Sequence, residues 1–143
     1  MSCKNKNYKS AQVALNTTTQ TTAAAGTVIN VLGSQLTDTG CSIDTTAAGF
    51  KIVASGLYRI RYTLTFTAGA AGDATVQLFR DGVALPCTLV QNTVAAGNVY
   101  TMVTEAPALV VGTCCNICPV ITAVVGGVEG TVNYVCASAV RLA

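Results

Sequence analysis

A strict alternation of side chains between residues 56 and 67 constrains the fold of this chain more than any other stretch. Every second residue from Tyr58 onward is apolar, and the residues between them are arginine or threonine. Because successive side chains of a β-strand point to opposite faces of its sheet, this pattern predicts a strand with one face on a core and the other outside it. The residues of the apolar face are Tyr58, Ile60, Tyr62, Leu64 and Phe66.

Short apolar runs broken by Gly, Asn, Asp or Pro make up most of the remaining chain, and helical periodicity is almost absent. Such runs are typical of strands joined by tight turns. The Asp81-Gly82 pair is the strongest hairpin signal, because glycine readily adopts the positive φ of a primed turn. We expect an all-β fold, a jelly-roll β-sandwich of two antiparallel sheets. The predicted strands are 27–32, 41–45, 49–54, 56–67, 73–80, 83–90, 98–105, 108–111, 119–125 and 130–142.

The beginning of the chain differs from the rest in composition. Residues 1–26 are polar and end in TTTQTTAAAG, a low-complexity run without apolar periodicity. We expect them to form a polar N-terminal arm or linker, followed by one jelly-roll domain over residues 27–143. A hydrophobic content of 51% in 143 residues is enough for one core.

Charged residues make up only 10% of the chain, compared with about 25% in ordinary soluble domains. The surface must therefore be largely neutral, which suits close contacts between subunits. The net charge of +2 comes from dispersed lysines and arginines, so we expect no nucleic acid partner, since phosphate contacts need clustered cations. No apolar stretch is long enough to cross a membrane, and the initial MSCKNKNYKS is not followed by the apolar segment of a signal peptide. We therefore expect synthesis in the cytoplasm without a signal peptide, and no membrane partner.

The residue types needed for common catalytic sites are scarce. The chain has no histidine, so Ser-His and Cys-His pairs that activate nucleophiles are absent. Its six carboxylates show no spacing that indicates a glycosidase pair, and no phosphate-binding loop is present. We expect a protein that is not an enzyme, with no catalytic residue and no cofactor.

Seven cysteines, an odd number, leave at least one thiol free or paired with another chain. The sequence TCCNICP resembles a metal loop, but zinc needs four ligands and histidine is absent. We expect no metal, with Cys87 and the three cysteines of the loop as weak candidates. A disulfide or free-thiol staple is the simpler interpretation, and Cys136 is expected to be a small buried residue. The candidates for disulfides within the loop or between subunits are Cys3, Cys114, Cys115 and Cys118.

Eight residues between Leu32 and Tyr62 resemble, in type and spacing, the signature of complement C1q-like domains, the jelly-roll superfamily shared with tumour necrosis factor. That signature has aromatic residues where Leu32 and Ile60 stand, and an aromatic residue or leucine at Ile43. The stretches GLYRIRYTLTFTA, VQLFRDGVALP and AVRLA are also similar to C-terminal domains of collagen-like exosporium proteins and to bacteriophage structural proteins. The resemblance covers residues 27–143 and implies a trimer. The eight signature residues are Leu32, Asp38, Ile43, Phe50, Gly56, Tyr58, Ile60 and Tyr62.

The last predicted strand, 130–142, carries apolar residues on both faces. Regular alternation places Val132, Tyr134 and Cys136 on one face and valine and alanine on the other. A strand that is apolar on both faces must be covered twice. The resemblance implies that two further copies supply the second cover, and the alternative is a monomer in which a loop lies over a central strand. We expect the trimer interface to contain Tyr58, Tyr62, Val135, Ala137 and Ala139.

Three functions remain open. The first is a structural surface protein on a virion, as a decoration or fibre component, or on a spore, with neighbouring capsid or spore-coat proteins as partners. The second is a binding module for carbohydrate or a receptor, with a surface glycan as candidate ligand of loops 68–73, 91–98 and 112–119. The third is an intracellular thiol or metal protein built around CCNIC. Composition and resemblance favour the first.

Overall fold

The computed structural model describes residues 9–112 and 118–143. This part of the chain contains thirteen β-strands and no helix. No helix in this part of the chain is therefore long and apolar enough to span a membrane. The strands are β1 (Ala11–Asn16), β2 (Gln20–Thr22), β3 (Thr27–Val28), β4 (Ser34–Thr39), β5 (Ile43–Thr45), β6 (Phe50–Ile52), β7 (Gly56–Ala68), β8 (Gly72–Arg80), β9 (Val83–Ala84), β10 (Val90–Val94), β11 (Val99–Val111), β12 (Val120–Gly126) and β13 (Gly130–Arg141).

The strands form two antiparallel sheets, which confirms the predicted jelly-roll sandwich. In the first sheet the strand order is β11-β7-β13-β1-β4, and β2 pairs with β13. In the second sheet the order is β10-β8-β12-β6-β5, with β3 on β12 and β9 on β8. The Asp81-Gly82 hairpin is also confirmed: both residues have positive φ, and Arg80 is paired with Val83 across the turn.

The core lies between the two sheets and is built around β7. All five residues of its predicted apolar face are fully buried. The ring of Tyr62 meets that of Phe50, from the second sheet, edge to face, with the ring centroids 5.9 Å apart. The alternation in the sequence therefore identifies the strand through which the first sheet packs against the core.

The predicted polar arm differs from the structure over its described residues. Residues 11–16 form β1, which lies inside the first sheet between β13 and β4, and β2 pairs with β13. The jelly roll therefore begins well before residue 27. Residues 1–8 lie outside the described part of the chain.

β1 is not evident from the sequence because its faces are inverted: polar residues face the core and apolar residues face outward. Gln12, Ala14 and Asn16 point inward and are buried, while Val13 and Leu15 on the outer side are only partly buried. The inward polar groups have hydrogen-bond partners distant in sequence, since Asn16 Nδ2 donates to the carbonyl of Asn30 at 2.9 Å and Gln12 Nε2 donates to the Asp38 carboxylate at 2.5 Å. A sequence pattern would assign Val13 and Leu15 to the interior, which is the reverse of their position in the structure.

Two buried tyrosines differ in whether their hydroxyls have partners. Tyr58 donates to the carbonyl of Ala54 at 2.6 Å, whereas the Tyr62 hydroxyl is buried without a hydrogen-bond partner. Burial raises the pKa of Tyr62, so this phenol stays protonated at neutral pH. Burial also raises the pKa of Tyr58, and the nearby Arg141 partly opposes that shift.

We predict that Tyr62→Phe leaves the free energy of unfolding unchanged or raises it by up to about 1 kcal/mol, because an unsatisfied buried hydroxyl is removed. The matched variant Tyr58→Phe loses a hydrogen bond and is expected to lower it by about 1 kcal/mol. Denaturant unfolding of both variants at one protein concentration checks this. A larger loss for Tyr62→Phe than for Tyr58→Phe would show that the Tyr62 hydroxyl has a stabilising partner.

Candidate subunit interface

An irregularity in β13 decides which of its side chains face outward. The pairing with β7 shifts at Asn133, so that Val132 lies opposite Phe66 and Tyr134 opposite Thr65. After this bulge Val135 points inward, although it is three residues from the inward Val132. Because a bulge reverses the alternation, Tyr134 and the residues that follow it at every second position lie on the outside of the sheet.

The residues predicted for the trimer interface lie on the opposite face from the one that a neighbour can reach. Each of them is fully buried in the core of a single chain, so none offers surface to a second copy. The prediction therefore named the wrong face of the sheet, because the two tyrosines belong to the side of β7 that packs on the core, and the β13 residues lie on that same side. The residues concerned are Tyr58, Tyr62, Val135, Ala137 and Ala139.

The other side of the same sheet, which we name the outer face, is the candidate interface. One row of side chains crosses four strands: Leu15 is paired with Cys136, Cys136 with Thr63, and Thr63 with Val103. Cys136 is therefore half-buried on this face. The alternation in the sequence had predicted a position inside the core. The residues that define the outer face are Val13, Leu15, Arg59, Arg61, Thr63, Thr65, Val103, Glu105, Tyr134, Cys136, Ser138 and Val140.

Few charges interrupt the outer face. The row next to Leu15 places Val13 opposite Ser138, Ser138 opposite Arg61, and Arg61 opposite Glu105. Arg61 therefore lies opposite a carboxylate of the neighbouring strand, a cross-strand arrangement that suits charges of opposite sign. The face offers a neighbour an apolar and hydroxyl-bearing area that carries two cations, Arg59 and Arg61, and one carboxylate, Glu105.

A second apolar surface lies on the edge of the sandwich near β11. Val83, Leu89 and Val110 are 70%, 55% and 74% exposed. Two contacts bring their segments together: Thr104 donates to the carbonyl of Thr88 at 2.5 Å, and Arg80 donates to the carbonyls of Val110 and Gly112 at 3.5 Å. We name Val83, Leu89 and Val110 the edge patch. It does not overlap the outer face.

Only two of the three loops predicted to bind a ligand lie together. Gly97 donates to the carbonyl of Ala68 at 2.7 Å, which joins loops 68–73 and 91–98 at one end of the sandwich. The residues that flank the third loop, 112–119, lie at the other end: Gly112 contacts Arg80, and the carbonyl of Pro119 accepts from Ile52. The C-terminal Ala143, which accepts from Leu57, lies at that same end. We name the end with loops 68–73 and 91–98 the far end.

The described cysteines do not form a metal site. Residues 9–112 and 118–143 contain no group of three or more histidine, cysteine, aspartate or glutamate side chains that could hold a metal ion. Cys87 is exposed and Cys118 is half-buried, both with free thiols, while Cys41 is in a disulfide. The other candidates, Cys3, Cys114 and Cys115, lie outside the described residues, so their pairing stays a prediction.

Comparison with solved structures identifies the fold. PRD1 vertex protein P5 is 16% identical with a TM-score of 0.63, over 94% of this chain and 97% of that one. Murine APRIL is 8% identical with a TM-score of 0.67, over 94% and 99% of the two chains. The globular domain of zebrafish complement C1qA is 10% identical with a TM-score of 0.67, over 94% and 98%. No protein-family description and no curated protein matches the chain.

These likenesses confirm the predicted C1q/TNF-like jelly roll, and at such low identity they concern the fold alone. The resemblance to exosporium proteins stays a prediction.

We predict that Ala137→Asp disrupts folding and that Ser138→Asp, at the adjacent position of β13, does not. Ala137 is fully buried, so a carboxylate there would lower the free energy of unfolding by about 3 kcal/mol or more. Ser138 lies on the outer face beside Arg61, so Ser138→Asp is expected to keep the fold. Circular dichroism and thermal unfolding of both variants check this, and equal loss of structure in the two would overturn the assignment of the faces.

Proposed function

We propose that this protein is a non-enzymatic structural protein that assembles as a homotrimer and forms part of a virion surface. The observation that carries the proposal is the inverted β1. Val13 and Leu15 point away from the core, opposite Ser138 and Cys136 of the neighbouring strand, while polar side chains point into the core. A strand with apolar side chains outside and polar side chains inside is stabilised when a partner covers the outer face.

Two further copies of the same chain are the proposed partner. The outer face and the edge patch are different surfaces, so a contact between them is heterologous and generates a ring when the rotation closes. The outer face carries few charges, which reduces the cost of removing it from water. The trimer implied by the resemblance is such a ring, in which each copy covers the outer face of the next with its edge patch.

The virion is favoured over the spore as the particle that carries the trimer. One of the structures similar to this chain is a vertex protein of PRD1. The absence of histidine supports a structural role over the third candidate, a thiol or metal protein, because zinc would then need four cysteine or carboxylate ligands. Neighbouring capsid proteins are the further partners expected under this proposal.

We predict a native mass of about three times 14.5 kDa by light scattering, with and without reductant. Reductant should have no effect on the trimer, because its proposed contacts are not covalent, whereas larger species that revert to the trimer on reduction would indicate disulfides between trimers. Leu15→Asp on the outer face and Leu89→Asp in the edge patch should both give folded monomers.

The matched control is Val28→Asp, which changes an apolar residue of the second sheet that is 47% exposed and belongs to neither surface. It should remain trimeric. A wild-type monomer at about 100 µM, or loss of the trimer only in the control, would contradict the proposal; that concentration is about a hundredfold above a micromolar Kd.

A further inference from the structure

β11 is the strand at which the two contact surfaces of the proposed trimer meet. It is the outermost strand of the first sheet, so its outward side chains belong to the outer face, while Val110 of the same strand belongs to the edge patch. In a closed ring each copy is a wedge between its two contact surfaces, and the line along which those surfaces meet points at the rotation axis. β11 of each copy therefore lies nearest the threefold axis.

One outward side chain of β11 is charged. Glu105 is half-buried and is the only carboxylate among the residues that define the outer face. It ends a row that runs from Ser138 on β13 through Arg61 on β7 to β11. Side chains directly opposite each other in an antiparallel pair have Cβ atoms about 4.5–5.5 Å apart, so Arg61 lies one strand further from the axis than Glu105. Each copy thus brings an acid to the axis with a cation just behind it.

Threefold symmetry places three Glu105 carboxylates around one line. Like charges that are brought together out of water repel strongly, so this arrangement requires cations between the carboxylates. The guanidinium group of Arg61 has five N–H donors in a planar fork and can bind two carboxylates at once. An Arg61 that bridges Glu105 of its own copy and Glu105 of the partner subunit gives each carboxylate two cationic neighbours.

The rows on either side do not offer a competing pair of opposite charges. In one of them Arg59 lies opposite Val140 on β13, and a register shift interrupts β11 beside it. In the other, Thr63 lies opposite Val103, and neither is charged. The row of Arg61 is therefore the place where opposite charges of the outer face can meet across the axis.

We propose that Arg61 and Glu105 of the three copies form a closed ring of alternating charges around the threefold axis, and that this ring selects a second copy of the same chain as the partner. A subunit with the wrong charge at either position would leave like charges facing each other at the axis, which is one way in which interfaces exclude other partners. The inference deepens the proposed function and rests on it, since the ring exists only in the trimer.

Two charge-reversed chains test the ring. All chains carry Arg59→Gln, so that positions 61 and 105 hold the only charges of the outer face, and the chain with this change alone is the reference. Adding Glu105→Arg makes the row wholly cationic, and adding Arg61→Glu makes it wholly anionic. We expect the reference to be a trimer at about 100 µM and each reversed chain to be a folded monomer, because every copy would bring two like charges to the axis.

An equal mixture of the two reversed chains should form trimers that contain both, since each chain supplies the charge that the other lacks. Native mass spectrometry of the mixture gives the composition of the trimers, and circular dichroism of each chain alone shows that it is folded. The neutral variants Glu105→Gln and Arg61→Gln disturb the chain less and should each raise the dissociation constant of the trimer at least about tenfold.

The matched control is a cross-strand pair of the same kind on the second sheet, where Asp44 lies opposite Lys51 outside both contact surfaces. Asp44→Arg and Lys51→Glu, made separately in the same background, should each remain trimeric. Loss of the trimer in these controls as well would show a general effect of charge and overturn the ring.

The remaining outcomes separate the ring from the trimer. Trimers of either reversed chain alone, or a mixture that stays monomeric, would overturn the ring and leave the trimer in place. A wild-type monomer would overturn the trimer and the ring with it. A trimeric wild type beside a monomeric reference would show that Arg59 supplies the essential charge, which also contradicts the ring.

Discussion

Burial of one face of β7 is the constraint on which the rest of the structure depends. This strand lies between β11 and β13, and both partners follow it for most of its length. Its five alternating apolar side chains are fully buried and include the two largest residues of the core, Tyr58 and Tyr62. A slip of one residue would move this whole set to the outside, so the register of the first sheet is fixed by β7.

Fixing the inner face of the first sheet also determines what its outer face presents. The bulge at Asn133 places Val135 inside and Cys136 outside, and the inverted β1 adds Val13 and Leu15 to the same outer side. The first sheet is thus apolar on both faces near its centre. The chain's own core covers the inner face, and the outer face is open to a partner. The proposed trimer follows from this second face, while the far end is shaped by short loops of alanine and glycine.

Sequence patterns predicted those elements whose apolar residues point into the core. The alternation of β7, the Asp81-Gly82 turn and the all-β jelly roll were recoverable because local pattern and tertiary environment agree there. β1 was not recoverable, because Gln12 and Asn16 face the interior and are satisfied by partners distant in sequence, including Asp38 and Asn30. The outward position of Cys136 was missed because a bulge adds one residue without a clear signal in composition.

The predicted interface failed for a related reason. Ala137 and Ala139 lie on one of the two apolar faces that the sequence indicates for the last strand, but the pattern does not say which of the two is the core.

The central claim, that other copies cover the outer face, is tested most directly by the reactivity of the Cys136 thiol. Iodoacetamide labelling of the native protein, followed by mass spectrometry of its peptides, reads Cys136 on the outer face and exposed Cys87 as an internal standard. The account predicts slow labelling of Cys136 in the wild type and labelling at least about tenfold faster in Leu15→Asp, with Cys87 equally reactive in both, because the monomer uncovers the outer face. Equal Cys136 labelling in the wild type and Leu15→Asp would contradict it.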